Sequence, residues 1–368
     1  MMHIKVIDAP TSFGPTRIKK GAFAIMKAGL KQILGGILLG GLLMLGYIDK
    51  AIAQTPFVIA VFQSEGYLPD FIVKEKGFGK KYGLDVSFVT PSNGPAAAQL
   101  LLAGAVQGWS TDPLIILTAN SKGYDINIAG ISAPSFTYAI MAAATPAWPA
   151  ATAPTLEKVK ALKGKRIGVS GIGAGTDNAL LMLLKSAGLS GQDVTRVAIG
   201  QQQAAIGQLS AGRIDAFVSF SLAGNEVIKR ETGAIEYITT FAPDVPDSVK
   251  RIPHLAFAVS RDYATKNPDA VKGWLNAERD AIAWMRENQD EAASILNKYV
   301  FKDQNLELAR KIIPKALDSF FKSTRTDLKM PKSAFDLVLV EGRTVEAFKD
   351  TKEPTYQAAV LPFAQLPE

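Results

Sequence analysis

The stretch LKGKRIGVSGIGAGTDN, Leu162 to Asn178, constrains the fold more than any other part of the chain. Lys163, Lys165 and Arg166 lead into a β-prone run, Ile167 to Ser170. Gly171, Gly173 and Gly175 then open a helix whose first turn carries Thr176, Asp177 and Asn178. Strand, glycine turn and helix start, in that order, aim free backbone N–H groups and the positive end of a helix dipole at one spot. A small polar or anionic group is expected there, against Gly173, Ala174, Gly175 and Thr176. Two other uses of such glycines do not fit. The dinucleotide fingerprint needs a glycine at 176 and an acidic residue after the next strand, where Thr176 and Gln201, Gln202 and Gln203 stand. A phosphate loop needs a Gly-Lys-Ser/Thr step that the chain lacks here. A plain tight turn between strand and helix remains the alternative.

Residues 1–53 read as a leader rather than as fold. Lys27 and Lys31 precede an apolar run from Ile33 to Ile48, and Ala51-Ile52-Ala53 before Gln54 has the form of a signal-peptidase site. The run is glycine-broken and short of the roughly 20 residues of a membrane span, so export with cleavage before Gln54 is expected, from a start at Met1 or Met26. These 53 residues hold seven Lys/Arg and two Asp/Glu, which leaves about +2 of the chain's net +7 on the rest. The basic balance is therefore no argument for nucleic-acid binding. The chain has no cysteine and two histidines, His3 and His254. Thiol chemistry, Cys/His zinc sites and most histidine-dependent catalytic triads are thereby set aside, and neither metal nor cofactor is expected. His254, in HLAFAVS, reads as a structural histidine at a strand entry.

From Phe57 onward the pattern alternates strand and helix. Phe57 to Gln63 ends in Ser64-Glu65-Gly66-Tyr67; a helix from about Pro69 to Lys81 leads to a strand, Leu84 to Val89; Thr90 to Gly94 then opens an alanine-rich helix reaching Ala103. This order predicts an α/β domain with mostly parallel sheets. One segment echoes another. Leu102-Ala103-Gly104 precedes a strand stopping at Ser110-Thr111-Asp112, and Ser210-Ala211-Gly212 precedes one stopping at Ser219. Each glycine suits a left-handed helix stop, and the pair suggests two similar lobes. Beyond Arg261 the chain reads as helical, with Trp274 and Trp284 at core spacing.

Several further runs resemble one family: Lys76-Gly77-Phe78, Tyr82-Gly83-Leu84-Asp85-Val86, Leu102-Ala103-Gly104, Leu162 to Val169, Ala211 to Ala216, and Ser260-Arg261-Asp262-Tyr263 with Asn267-Pro268. In this order they resemble the solute-binding proteins of ABC importers in the nitrate, sulfonate and taurine group, which also takes in binders of pyrimidine precursors of thiamine. The resemblance covers nearly the whole chain after the leader. It implies a periplasmic-binding-protein type II fold with two lobes, each a mixed sheet flanked by helices. Residues 54–135 and 250–368 would form the first lobe and 136–249 the second, closing about a hinge on a small solute. It also implies no enzyme, a periplasmic monomer, and as partners the transmembrane subunits of an ABC permease with their ATPase. Two positions depart from the family: Gly79, and Phe220-Ser221-Leu222. A pyrimidine-synthesis enzyme of the same kin is the alternative reading; it relies on a histidine-rich site and a cysteine cluster that this chain lacks. A transcriptional regulator would need a DNA-binding N-terminus where the leader stands.

Open α/β sheets bind at the carboxyl ends of their strands. The candidate solute contacts are therefore Gln63, Ser64, Ser92, Asn93, Ser110, Thr111 and Asp112, then Thr137, Tyr138, Gly173 to Thr176, Gln201, Gln202 and Ser219. None of these loops carries Lys or Arg. Acceptors are expected at Glu65 and Asp112, and donors at the Gly173–Thr176 turn. The solute so described is sulfonate- or taurine-like, or pyrimidine-like.

Overall fold

Short runs of β-branched and aromatic residues alternate with helices, several of them opened by Asn, Asp or Ser caps, and this alternation builds two sheets. The computed structural model describes residues 54–144 and 148–366; the expected leader lies outside the described residues. The strands are β1 (Thr55–Ala60), β2 (Leu84–Val89), β3 (Gly108–Thr111), β4 (Asn127–Ala133), β5 (Ala139–Ala142), β6 (Arg166–Val169), β7 (Thr195–Ala198), β8 (Ala216–Ser219), β9 (Ile235–Thr239) and β10 (Leu255–Val259). One five-stranded sheet has the order β2-β1-β3-β10-β4 and the other β7-β6-β8-β5-β9. In the first, β1 is parallel to β2 and β3, while β10 runs antiparallel to β3 and β4. In the second, β6 is parallel to β7 and β8, while β5 runs antiparallel to β8 and β9.

The two orders are the same plan used twice. Each sheet has four strands running one way and one antiparallel strand fed from the other sheet. The echo seen in the sequence maps onto this plan, because β3 and β8 hold equivalent places. Gly104 and Gly212, which release the helices before them, have φ of 70° and 60°. A side chain in that region is strained, so the repeated glycine follows from the repeated turn.

The chain crosses between sheets twice, after β4 and before β10. The crossings lie side by side: Phe136 N–H donates to Lys250 O at 3.2 Å, and His254 N–H to Ala133 O at 2.8 Å. The first sheet packs on Trp274 of the long helix Pro268–Glu287, with Phe57 and Phe257 rings 5.3 and 5.0 Å from its ring. The helix expected from Pro69 to Lys81 is in fact two, Leu68–Glu75 and Phe78–Lys81, split at Gly77 with φ of 69°. The polar tail after Lys349 is also part of the fold. Val360 bridges to Ile128, Gln365–Leu366 pairs with Met330–Pro331, and Tyr356 is buried.

Candidate functional site

Between the carboxyl ends of the two sets of parallel strands lies a cavity enclosing about 550 Å³, part of it open to solvent. Local sequence explains how its polar residues are held. Asn93 caps the helix Gly94–Leu102, its Oδ1 accepting from Ala96 N at 3.0 Å. Asp112 caps Pro113–Ser121 in the same way, with Oδ1 accepting from Leu114 N at 2.8 Å. Each cap satisfies an orphan helix donor and in doing so fixes the side chain at the cavity edge.

The glycine turn is tied down from within. Thr176 Oγ1 accepts the Ser170 amide at 2.9 Å, and Gly173 N donates to Asp177 Oδ2 at 2.9 Å. Asp177 is held in turn by Arg196 at 2.8 Å. The helix Gly175–Ser186 therefore starts at a rigid point, with the Gly175 and Thr176 amides ahead of any intrahelical acceptor. Gly175 is required by close approach. A Cβ there would overlap the Tyr138 hydroxyl and lie 2.9 Å from Asp112 Oδ2. The carboxyl group of one sheet's loop thus faces the helix start of the other.

Charge in the cavity is one-sided. Ser64, Asn93, Thr111, Asp112, Tyr138, Ala174, Gly175 and Thr176 line it, and so do Ser92 and Gln201; no lining residue is Lys or Arg. Asp112 Oδ2 is buried without a hydrogen-bond partner. Burial pushes the Asp112 carboxyl up to about 7, against weaker lowering by Leu114 N and the Asn178 amide. Behind it, Glu341 of the helix Lys332–Thr344 is fully buried with both oxygens unpartnered. Burial and the charge of Asp112 hold its proton well above the usual carboxylate range.

Other expected contacts stand elsewhere. Gln63 and Gln202 line a separate hollow with Gln203, where Gln203 Nε2 meets Gln63 Oε1 at 3.2 Å. Ser110 lies behind the wall, its carbonyl accepting from the Tyr67 hydroxyl at 2.7 Å. Thr137 and Ser219 border a third, small hollow. Gly173 is taken up by Asp177. Glu65, expected to offer a free acceptor, is occupied by the start of the helix Leu222–Thr232: Leu222 N donates to it at 2.6 Å and Ser221 Oγ at 2.7 Å.

The walls come largely from residues that the strand-end rule does not name: Phe62, Tyr67, Ile115, Phe220, His254, Leu255 and Phe320. Phe220 belongs to one of the two departures noted in the sequence. Phe320 arrives from the end of a distant helix, and no local pattern marks it. His254 stacks on Tyr138, ring centroids 4.5 Å apart and planes at 18°. Among the described residues no group of three or more His, Asp or Glu is placed to hold a metal ion.

The sequence model described as "NMT1/THI5 like" matches residues 66–292, more than half the chain. The chain belongs to the NMT1/THI5-like family. Among similar curated proteins, a binding protein of Brucella abortus is 27% identical over 256 residues, covering 67% of this chain and 74% of that one. The formylaminopyrimidine-binding protein of Halalkalibacterium halodurans is 23% identical over 250 residues, 67% of this chain and 71% of that one. A 4-amino-5-hydroxymethyl-2-methylpyrimidine phosphate synthase of Saccharomyces cerevisiae is 23% identical over 232 residues, 60% and 63% of the two chains. Among solved structures, the alkanesulfonate-binding protein of Xanthomonas axonopodis bound to MOPS superposes with a TM-score of 0.62 at 16% identity, covering 86% of this chain and 99% of that one. The fold is thus that of the two-lobed periplasmic binding proteins, and both binding proteins and synthases occur among the similar curated proteins.

Proposed function

We propose that this chain is the extracytoplasmic receptor of an ABC importer. It clamps a small planar solute between its two sheets and delivers it to permease subunits driven by their ATPase. Export through residues 1–53 and a periplasmic, monomeric state belong to the same proposal. The solute is read as an uncharged or cationic nitrogen heterocycle of the aminopyrimidine kind, not a sulfonate or nitrate.

One observation carries this choice: Asp112, with a free buried oxygen, faces the helix start where an anion would otherwise rest. An anion entering here must shed its water, which costs several kcal/mol for a buried ion. The helix start returns at most about 2 kcal/mol, and no cationic side chain lines the cavity. An aminopyrimidine instead loses apolar surface to Phe62, Phe220 and Phe320 and donates N–H to Asp112. The relative named for formylaminopyrimidine binding supports the reading. The synthase reading is weaker, because the cavity has one histidine and the chain has no cysteine.

Calorimetry tests it with 4-amino-5-hydroxymethyl-2-methylpyrimidine against taurine, methanesulfonate and nitrate. Saturable heat is expected with the pyrimidine alone. Tight binding of nitrate or methanesulfonate would overturn the solute class.

A further inference from the structure

His254, which lines the cavity, has ring hydrogen-bonding capacity that the described residues leave unused. Its Nδ1 receives the Thr137 amide at 3.0 Å and lies 2.5 Å from the Thr137 hydroxyl oxygen. A backbone N–H can only donate, so Nδ1 is the acceptor and the proton of the neutral ring sits on Nε2. Among the described residues Nε2 has no hydrogen-bond partner; it is not one of the sealed, partnerless buried atoms, and it belongs to a residue that lines the cavity.

We propose that His254 presents a fixed Nε2–H donor to the bound solute and selects solutes with an acceptor atom, a ring nitrogen or carbonyl oxygen, at that place. This rests on the receptor reading above and deepens it. With Asp112 accepting and His254 donating, the cavity matches a ring that carries a donor and an acceptor, as aminopyrimidines do. Thr137 then acts through His254, setting its tautomer, rather than by touching solute.

The donor is stable over the working pH range. The groups packed on the ring are Tyr138, Phe136, Phe320 and Thr137, none of them charged at neutral pH. Burial alone pushes the imidazole down to about 3. Protonation of Nδ1 would also break the hydrogen bond that the Thr137 backbone N–H donates to it. A histidine free to titrate near 6.5 would lose its selectivity inside the physiological range; this one does not.

The chain's only other histidine is His3, so the full chain carrying His3→Gln and labelled with 15N-histidine gives one imidazole. Nitrogen–proton correlation spectra are expected to show bare Nδ1 and protonated Nε2, unchanged between about pH 5 and 8. Protonated Nδ1, or a titration in that range, would overturn the assignment. Adding 4-amino-5-hydroxymethyl-2-methylpyrimidine should move the Nε2 resonance. His254→Phe, which keeps a ring but no donor, should bind about tenfold or more weakly, as expected for one lost hydrogen bond. His254→Gln, with an amide donor, should recover part of that loss. Equal affinity in His254→Phe would sink the proposal. If the pyrimidine fails to bind at all, the solute class falls, while the ligand-free spectrum still decides the donor.

Discussion

Glu65 accepts the Ser221 hydroxyl hydrogen at 2.7 Å, and the two residues follow β1 and β8, strands of opposite sheets. Leu222 N at 2.6 Å and Ala223 N at 3.3 Å complete the contact. A carboxylate from one lobe thus caps a helix of the other. Helix starts favour negative charge, so under the proposed clamp this bond is expected to favour closure before any solute arrives. Glu65→Gln keeps the shape but turns an NH2 group toward helix amides. It should cost closure roughly 1–3 kcal/mol, seen as a larger solute-free radius in small-angle scattering and weaker pyrimidine binding. An unchanged radius and affinity would show that the contact holds nothing.

Gly175 admits no side chain. Gly175→Ala must push back the Tyr138 hydroxyl or Asp112, and overpacking of this kind costs roughly 1–3 kcal/mol. Lower thermal stability and loss of solute binding are expected together. Gly207→Ala, where a Cβ meets nothing within 4 Å, should leave both intact and serves as the control.

The stability profile with pH should have its maximum on the acid side of neutral. Burial raises Glu65, Glu278 and Glu341, and pushes Asp70 and Asp112 up to about 7. Each holds its proton more tightly folded than unfolded. Their contribution is therefore whole below the ordinary carboxylate range and is lost as pH rises through the folded values. Asp215, Asp244 and Asp280 are lowered by their partners, so stability also falls once pH drops into their range. Thermal melts from pH 3 to 9 should peak near about pH 5, with a few kcal/mol lost by pH 8. Asp70→Asn and Glu341→Gln should each flatten the alkaline limb. A melt temperature that rises from pH 5 to 8 would contradict the buried acids.

Solute binding should follow Asp112. A donor-bearing pyrimidine is best held by the carboxylate, so affinity should rise as pH passes through about 7, where Asp112 loses its proton. An anion would show the opposite slope, since it needs that proton in place. Asp112→Asn should weaken the pyrimidine by roughly 1–3 kcal/mol and abolish the slope. Calorimetry at pH 6 and 8 on both proteins distinguishes the outcomes.

The alternation of strands and helices, the helix stops at Gly104 and Gly212 and the tight turn before Gly175 were legible in the sequence; Asn93 and Asp112, read there as solute contacts, also serve as helix caps by equally local chemistry. Each depends on neighbours within a few residues. A glycine at positive φ or a side chain reaching the amide two or three residues ahead is decided locally. So was the absence of basic residues from the cleft loops, which is a matter of composition. The tertiary structure decided which of those loop residues face the cavity. Gln63 and Gln202 turn to another hollow, and Glu65 is consumed by a helix of the opposite sheet. His254 is revealed as a wall residue by the approach of Tyr138 and Thr137 across the crossing. Phe320 reaches the site only through the packing of the C-terminal helices on the first sheet. A strand end specifies a place, but the direction in which its side chain finds a partner depends on how two sheets far apart in sequence are set against each other.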